Sequence, residues 1–258
     1  LITGDGKVPS DASCVLINVP QNDLSEDEVS ALEEYIDGGG KVIMLTYYPY
    51  SLDNLNSLGE RYGLSRVPGL LVEGSDSNYA NGKPYYLLPT IASTDISSML
   101  ASSNVYIIAP EAHGITKVDT DKSVTVDSLL STSDKAYSKT NLEALSNDTI
   151  YSVTDDDVEG QFMVGARSTL SESGGQLIWF GSPYIGENYY ANLQYLIATM
   201  NTVCEKEASV TIAAKSLMSD SLVVPDGSSS FWLAIMCVVV PVSVAAGGLC
   251  IWNRRRKR

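Results

Sequence analysis

The chain is poor in the residues that carry most enzyme chemistry, with one histidine and four cysteines among 258 residues. A lone histidine without neighbouring Cys or His ligands cannot build a zinc site. The sequence has no Gly-x-Ser-x-Gly elbow, and no cysteine stands between a strand and a helix. Phosphate-binding loops are lacking too. Gly40-Lys41 invites that reading, but a Walker A loop needs glycine where Tyr35 stands and Ser or Thr where Val42 stands. These glycines also fall between a helix and a strand, the reverse of the required order, so they read as a helix C-cap and tight turn. The chain is therefore not itself an ATPase.

Basic residues are scarce until the very end. Before position 227 there are 31 acidic and 12 basic residues, a balance of −19, and the other five bases are the final residues Arg254 to Arg258. Such a soluble part repels nucleic acid and anionic headgroups, and no basic patch with interleaved aromatics offsets this, so nucleic-acid binding is not expected. Its Asp, Ser, Asn and Tyr residues give a well-hydrated surface. Cys237 and Cys250 lie in the C-terminal apolar segment, so only Cys14 and Cys204 are able to pair outside a membrane. Cys14 opens an apolar run and reads first as a small buried hydrophobe; the fold does not depend on a bond between the two. The chain opens on Leu1-Ile2-Thr3, without Met, signal peptide or lipobox-like cysteine. The expectation is the C-terminal portion of a longer, exported protein.

What is present is one long apolar segment. Residues 231–252 carry no charge and as a helix would run about 33 Å, near a bilayer's hydrocarbon thickness. Trp232 and Trp252 stand near its ends, where an aromatic belt belongs. Five bases follow it and Asp220 and Asp226 precede it, which places residues 253–258 in the cytoplasm and the N-terminal domain outside. Pro241 removes one helix hydrogen bond mid-span. Ser243, Gly247 and Gly248 have a small-xxx-small spacing suited to close approach of a partner helix. Residues 218–230 read as a flexible linker and 1–217 as the extracytoplasmic domain.

In that domain Cys14–Val19 reads as a buried strand. Ser25 and Glu28 form a capping box, Val29, Leu32, Tyr35 and Ile36 repeat at helical spacing, and Lys41–Thr46 is the next strand. This is one βαβ unit with parallel strands. A short helix over 54–64, strands at 67–72, 105–109 and 176–180, a strand nearer an edge at 161–167 and a last helix over 188–203 follow, with a polar turn region at 76–84. The whole predicts an α/β fold, a mostly parallel sheet sandwiched by helices. Tyr47, Tyr48 and Tyr50 lie just past a strand's C-terminal end and Tyr189 opens the last helix; in parallel α/β folds ligands bind there, and tyrosine suits sugars or peptides. His113 reads first as a structural loop residue, with ligand contact or a catalytic base as alternatives. Asp155-Asp156-Asp157 lacks the alternating spacing of a calcium loop and reads as a solvated turn.

Several segments together resemble a known family. They are Pro20-Gln-Asn-Asp-Leu-Ser-Glu26, Tyr35-Ile-Asp-Gly-Gly-Gly-Lys41, Asn54-Leu-Asn56, Tyr62-Gly-Leu64, His113-Gly-Ile-Thr116, Leu130-Ser-Thr-Ser133, Ala136-Tyr137, Phe180-Gly-Ser182 and the final span with its Arg-rich tail. In this order they look like the GldG-like auxiliary components of ABC-type transport systems, known from gliding motility. The resemblance implies an extracytoplasmic, non-catalytic accessory domain working beside a separate ABC permease and a separate ATPase, without a cofactor. It also implies a glutamine-amidotransferase-like or flavodoxin-like sandwich whose nucleophilic cysteine is missing here. A stand-alone extracytoplasmic module binding carbohydrate or cell-wall material is the second expectation.

Overall fold

The computed structural model describes residues 7–75, 77–100, 105–141, 153–204, 232–233 and 235–256. Its first unit is the expected one: strand β1 (Val15–Asn18), helix α1 (Glu26–Asp37) and strand β2 (Lys41–Leu45), with β1 and β2 parallel. The capping box forms, with Ser25 Oγ accepting the Glu28 amide at 3.3 Å and Glu28 Oε2 accepting the Ser25 amide at 2.9 Å. Helix α2 (Asp53–Arg61) follows, and its free N-terminal amides are served from a distance: Asp23 accepts the amides of Asn54 at 2.7 Å and Leu55 at 3.2 Å. One carboxylate thus fastens the α1 entry to α2.

The chain then turns to short strands. These are β3 (Leu64–Val67), β4 (Leu70–Val72), β5 (Tyr79–Ala80), β6 (Lys83–Leu87) and β7 (Thr90–Ile91), followed by the single-turn helix α3 (Asp95–Ser98). After these come β8 (Ala109–Pro110), β9 (Gly114–Lys117), β10 (Val124–Ser131), β11 (Tyr137–Lys139), β12 (Val158–Glu159), β13 (Met163–Leu170), β14 (Gln176–Phe180) and helix α4 (Asn192–Val203). The expected strand at 67–72 is split at Pro68-Gly69, where Gly69 takes φ +100°. A side chain on Gly69 would strike the Lys139 carbonyl, so the turn needs glycine twice over. The 76–84 region contains a hairpin turning on Asn81-Gly82, both left-handed, and of the 105–109 run only Ala109 is in a strand.

The main sheet has eight strands in the order β1-β2-β14-β13-β10-β7, with β9 pairing both β13 and β3. Only β1, β2 and β14 are parallel; the other pairings are antiparallel. The expectation of a mostly parallel sheet is corrected accordingly. Parallel neighbours need a long crossover, whereas β13 and β14 are joined by a short turn in which the Gly174 amide reaches the Leu170 carbonyl at 2.9 Å. β13, expected near an edge, lies between β14 and β10. Two three-stranded sheets, β12-β11-β4 and β5-β6-β8, flank it.

The parallel strands are apolar on both faces. Val42, Met44, Leu177 and Trp179 join Val29, Leu32 and Ile36 of α1 and Leu55 and Leu58 of α2 on one side. Ile43, Leu45, Ile178 and Phe180 join Tyr195 and Leu196 of α4 on the other. Full burial of each such side chain contributes roughly 1.5–3 kcal/mol, which explains why these strands read as continuous apolar runs. On α4 the buried face is Asn192, Tyr195, Leu196, Thr199 and Val203, while Ile197 is 43% exposed.

Beyond the domain, Ile235–Arg256 is helical and long and apolar enough to cross a membrane, its most apolar 18-residue stretch having a mean hydropathy of 2.2. It starts with a π-helical turn, Ile235–Val239, and continues as α5 (Val240–Arg256). Pro241 lies inside this continuous helix, two residues after the π-helical turn, a local departure from α geometry of the kind that accommodates the hydrogen bond a proline cannot donate. The helix runs past Trp252 into the basic tail, and the Arg256 guanidinium lies 5.3 Å from the Trp252 ring. Three arginines in the last turn suit the negative end of the helix dipole. The linker at 218–230 and Phe231 lie outside the described residues.

Candidate tyrosine surface

The C-terminal ends of β1, β2 and β14 share one edge of the sheet. Behind it lies His113, wholly buried. Its Nδ1 is 2.9 Å from the Gly114 carbonyl, an acceptor only, so Nδ1 carries the proton. Its Nε2 then accepts from Thr46 Oγ1 at 2.6 Å, and that same oxygen accepts Trp179 Nε1–H at 2.7 Å. Every polar atom of this buried chain is therefore matched. Burial, with the charge of Arg66 adding to it and the Gly114 bond opposing, pushes His113 down to about 3. The imidazole is a neutral structural brace with no exposed edge.

In front of it the tyrosines gather. Tyr47 stacks edge-on against Tyr48 at 5.1 Å and against Tyr50 at 5.5 Å. The loop carrying them is pinned by Arg66 of β3, which donates to the carbonyls of Tyr48 and Tyr50. Tyr47 Oη donates to Glu111 Oε2 at 2.5 Å. Burial first, then this bond and the carboxylate's charge, raise the Tyr47 hydroxyl well above its ordinary value. Tyr48 and Tyr184 are raised the same way, by burial and then by Glu111, so the carboxylate faces three phenols that stay neutral. Tyr184 sits in the 3₁₀ turn after β14, capped by Ser182.

Among the described residues four non-glycine positions have left-handed backbone, and two of them, Val19 directly after β1 and Glu111 directly after β8, lie at this edge and its neighbour. Tyr189 is 39% exposed and packs edge-on to Tyr190 at 4.7 Å. Tyr190 and Tyr86 pack against a buried cluster of Ala80, Leu88 and Ile108. Lys83 Nζ lies 4.9 Å from the Tyr86 ring. The structure thus brings Tyr47, Tyr48 and Tyr50 together, adds Glu111 and Tyr184, and excludes His113. Glu111 is two residues from His113 in the same motif, and the missed signal was a carboxylate directly after an apolar run. Tyr184 follows β14 as Tyr47 follows β2, so the same strand-end rule finds it.

Elsewhere, Asp155 and Asp156 are exposed, but Asp157 departs from the expected solvated turn: its side chain is buried, paired with Lys139 at 2.7 Å and bonded by the amide and hydroxyl of Thr154. Among the described residues no group of three or more His, Cys, Asp or Glu is placed to hold a metal ion. Two surface depressions, of about 280 and 210 Å³, are lined by residues other than Tyr47, Tyr48, Tyr50 and Tyr184, which are themselves half-buried. Ser243, Gly247 and Gly248 are exposed on α5, and nothing lies within 4 Å of where a side chain on either glycine would sit.

No family model matches the chain, and no curated protein matches it. Among solved structures it is similar to the mmIFT52 N-terminal domain, with a TM-score of 0.55 and 14% identity over 76% of this chain and 78% of that one. At that identity the likeness is one of fold. The resemblance to GldG-like components is overturned by these findings: the shared fold is that of a domain outside that family, and neither a family model nor a relative carries the GldG, ABC-transporter or gliding-motility assignment. The expected permease and ATPase came with that resemblance alone. What stands is a mixed α/β domain followed by one helix fit to span a membrane.

Proposed function

We propose that this protein is a membrane-anchored, non-enzymatic binding module. Its α/β domain is held outside the cytoplasm by residues 235–256, and its tyrosine surface around Glu111 binds carbohydrate of the cell wall or cell surface. The observation that carries the reading is the gathering of Tyr47, Tyr48 and Tyr184 about one carboxylate at the strand ends, with Tyr50 packed on Tyr47. Phenol rings offer apolar faces to sugar C–H groups, while their hydroxyls and the carboxylate exchange hydrogen bonds with sugar hydroxyls. The five bases that follow the apolar segment support the orientation. The burial of the sole histidine supports a role in binding over catalysis.

Thermal melting of the full chain in detergent against a panel of cell-wall and cell-surface glycans tests this. A glycan at about one hundred times its Kd stabilises by roughly 2.7 kcal/mol, which raises Tm by about 5–10 °C in a domain of this size. The rise should vanish in Tyr48→Ala and shrink in Glu111→Gln. Melting curves that no glycan moves, or a rise that Tyr48→Ala retains, would refute the assignment.

A further inference from the structure

Cys14 and Cys204 stand at opposite ends of the domain in sequence, and the fold carries both to one place. Cys14 immediately precedes β1 and packs against the core cluster that contains Val203. Cys204, the residue after Val203, caps α4 and lines the 280 Å³ surface cavity together with Ala12, Ser13, Tyr35 and Lys41. Ser13 and Cys204 thus share one cavity, while their chain neighbours Cys14 and Val203 share one core. Tyr35 stands between the two segments, its hydroxyl donating to the Ala12 carbonyl at 3.0 Å. That hydroxyl is raised chiefly by burial, and after the opposing Lys41 backbone bond it is raised further by both Cys14 and Cys204. Both are half-buried thiols, and the remaining cysteines, Cys237 and Cys250, belong to the apolar helix.

We propose that Cys14 and Cys204 form a disulfide site that ties the entry of β1 to the end of α4, the point from which the chain leaves toward the membrane helix. The reaction is thiol–disulfide exchange with a small organic disulfide such as oxidised glutathione. The Cys204 thiolate attacks one sulfur of the reagent and releases one glutathione thiolate. The Cys14 thiolate then attacks the protein sulfur of the mixed disulfide and releases the second. Two protein thiols are oxidised, one reagent disulfide is reduced, and the two thiol protons pass to the two glutathiones. The bond closes nearly the whole domain into a loop, the case in which a cross-link restricts the unfolded chain most. None of this rests on what the tyrosine surface binds.

The test uses the full chain in detergent, treated with oxidised glutathione, alkylated and digested without reduction. Mass spectrometry should find the Cys14 and Cys204 peptides joined and Cys237 alkylated. The Tm should rise by about 5 °C or more and fall back on adding reductant. Cys14→Ser should leave Cys204 carrying glutathione, with no rise in Tm. Stable mixed disulfides on both cysteines of the wild type, or alkylation of both after oxidation, would overturn the proposal, because either outcome means the sulfurs cannot meet.

Discussion

Acidification should weaken this fold through its one histidine. Unfolded, His113 has the ordinary value of 6.5; folded, it is pushed down to about 3. The sign follows directly. Between those values the unfolded chain holds a proton that the buried imidazole refuses, so stability is complete above pH 6.5 and is lost as pH falls toward 3. The slope is about 1.4 kcal/mol per pH unit, so a fall from pH 6.5 to 4.5 removes roughly 2.5 kcal/mol. Asp37, Asp95 and Asp157 are also held below the ordinary carboxylate value by their partners, but their losses come at lower pH. Urea melts followed by circular dichroism between pH 7 and 4.5 measure the slope. His113→Gln keeps one acceptor for Thr46 and one donor for Gly114 yet does not titrate, so the difference between the two slopes isolates the imidazole. Because the chain has a single histidine, its NMR ring signals need no assignment and read the folded pKa directly. A folded midpoint near 6.5, or equal slopes in the two proteins, would refute the reasoning.

Other outcomes follow from buried groups. Lys139→Met leaves Asp157 buried without its cation and should cost about 3–5 kcal/mol in urea unfolding, most of it recovered when Asp157→Leu is added. Gly69→Ala places a methyl against the Lys139 carbonyl at φ +100°, and should lower stability by at least about 1–3 kcal/mol.

The β1-α1-β2 unit was legible in sequence because local signals agree there: a capping box, a 3.6-residue apolar repeat and two doubly buried strands. The antiparallel half was not. β10 carries Asp127 and Ser128 among its apolar residues, and a bulge lets Leu129 and Leu130 both turn inward, which erases its alternation. Asp127 is tolerated because Arg167 of β13 reaches it and Asp95 together, a pairing no single segment announces. The last helix, expected from 188 with Tyr189 opening it, begins only at Asn192, and its buried face starts with Asn192, whose side chain bonds both the amide and the carbonyl of Ile108. The same division runs through the site. Tyr47, Tyr48 and Tyr50 were visible as residues after a strand, whereas Glu111 joins them only through the fold. The role of His113 depended on Thr46 and Trp179, distant partners that its own motif does not contain.

The claim that the tyrosine surface works outside the cytoplasm is tested most directly by protease treatment of intact cells carrying the full chain with a C-terminal tag. An outward domain predicts its loss from intact cells, leaving a small tagged fragment that holds the Ile235–Arg256 helix. A full-length chain that survives until the membrane is permeabilised would contradict the account.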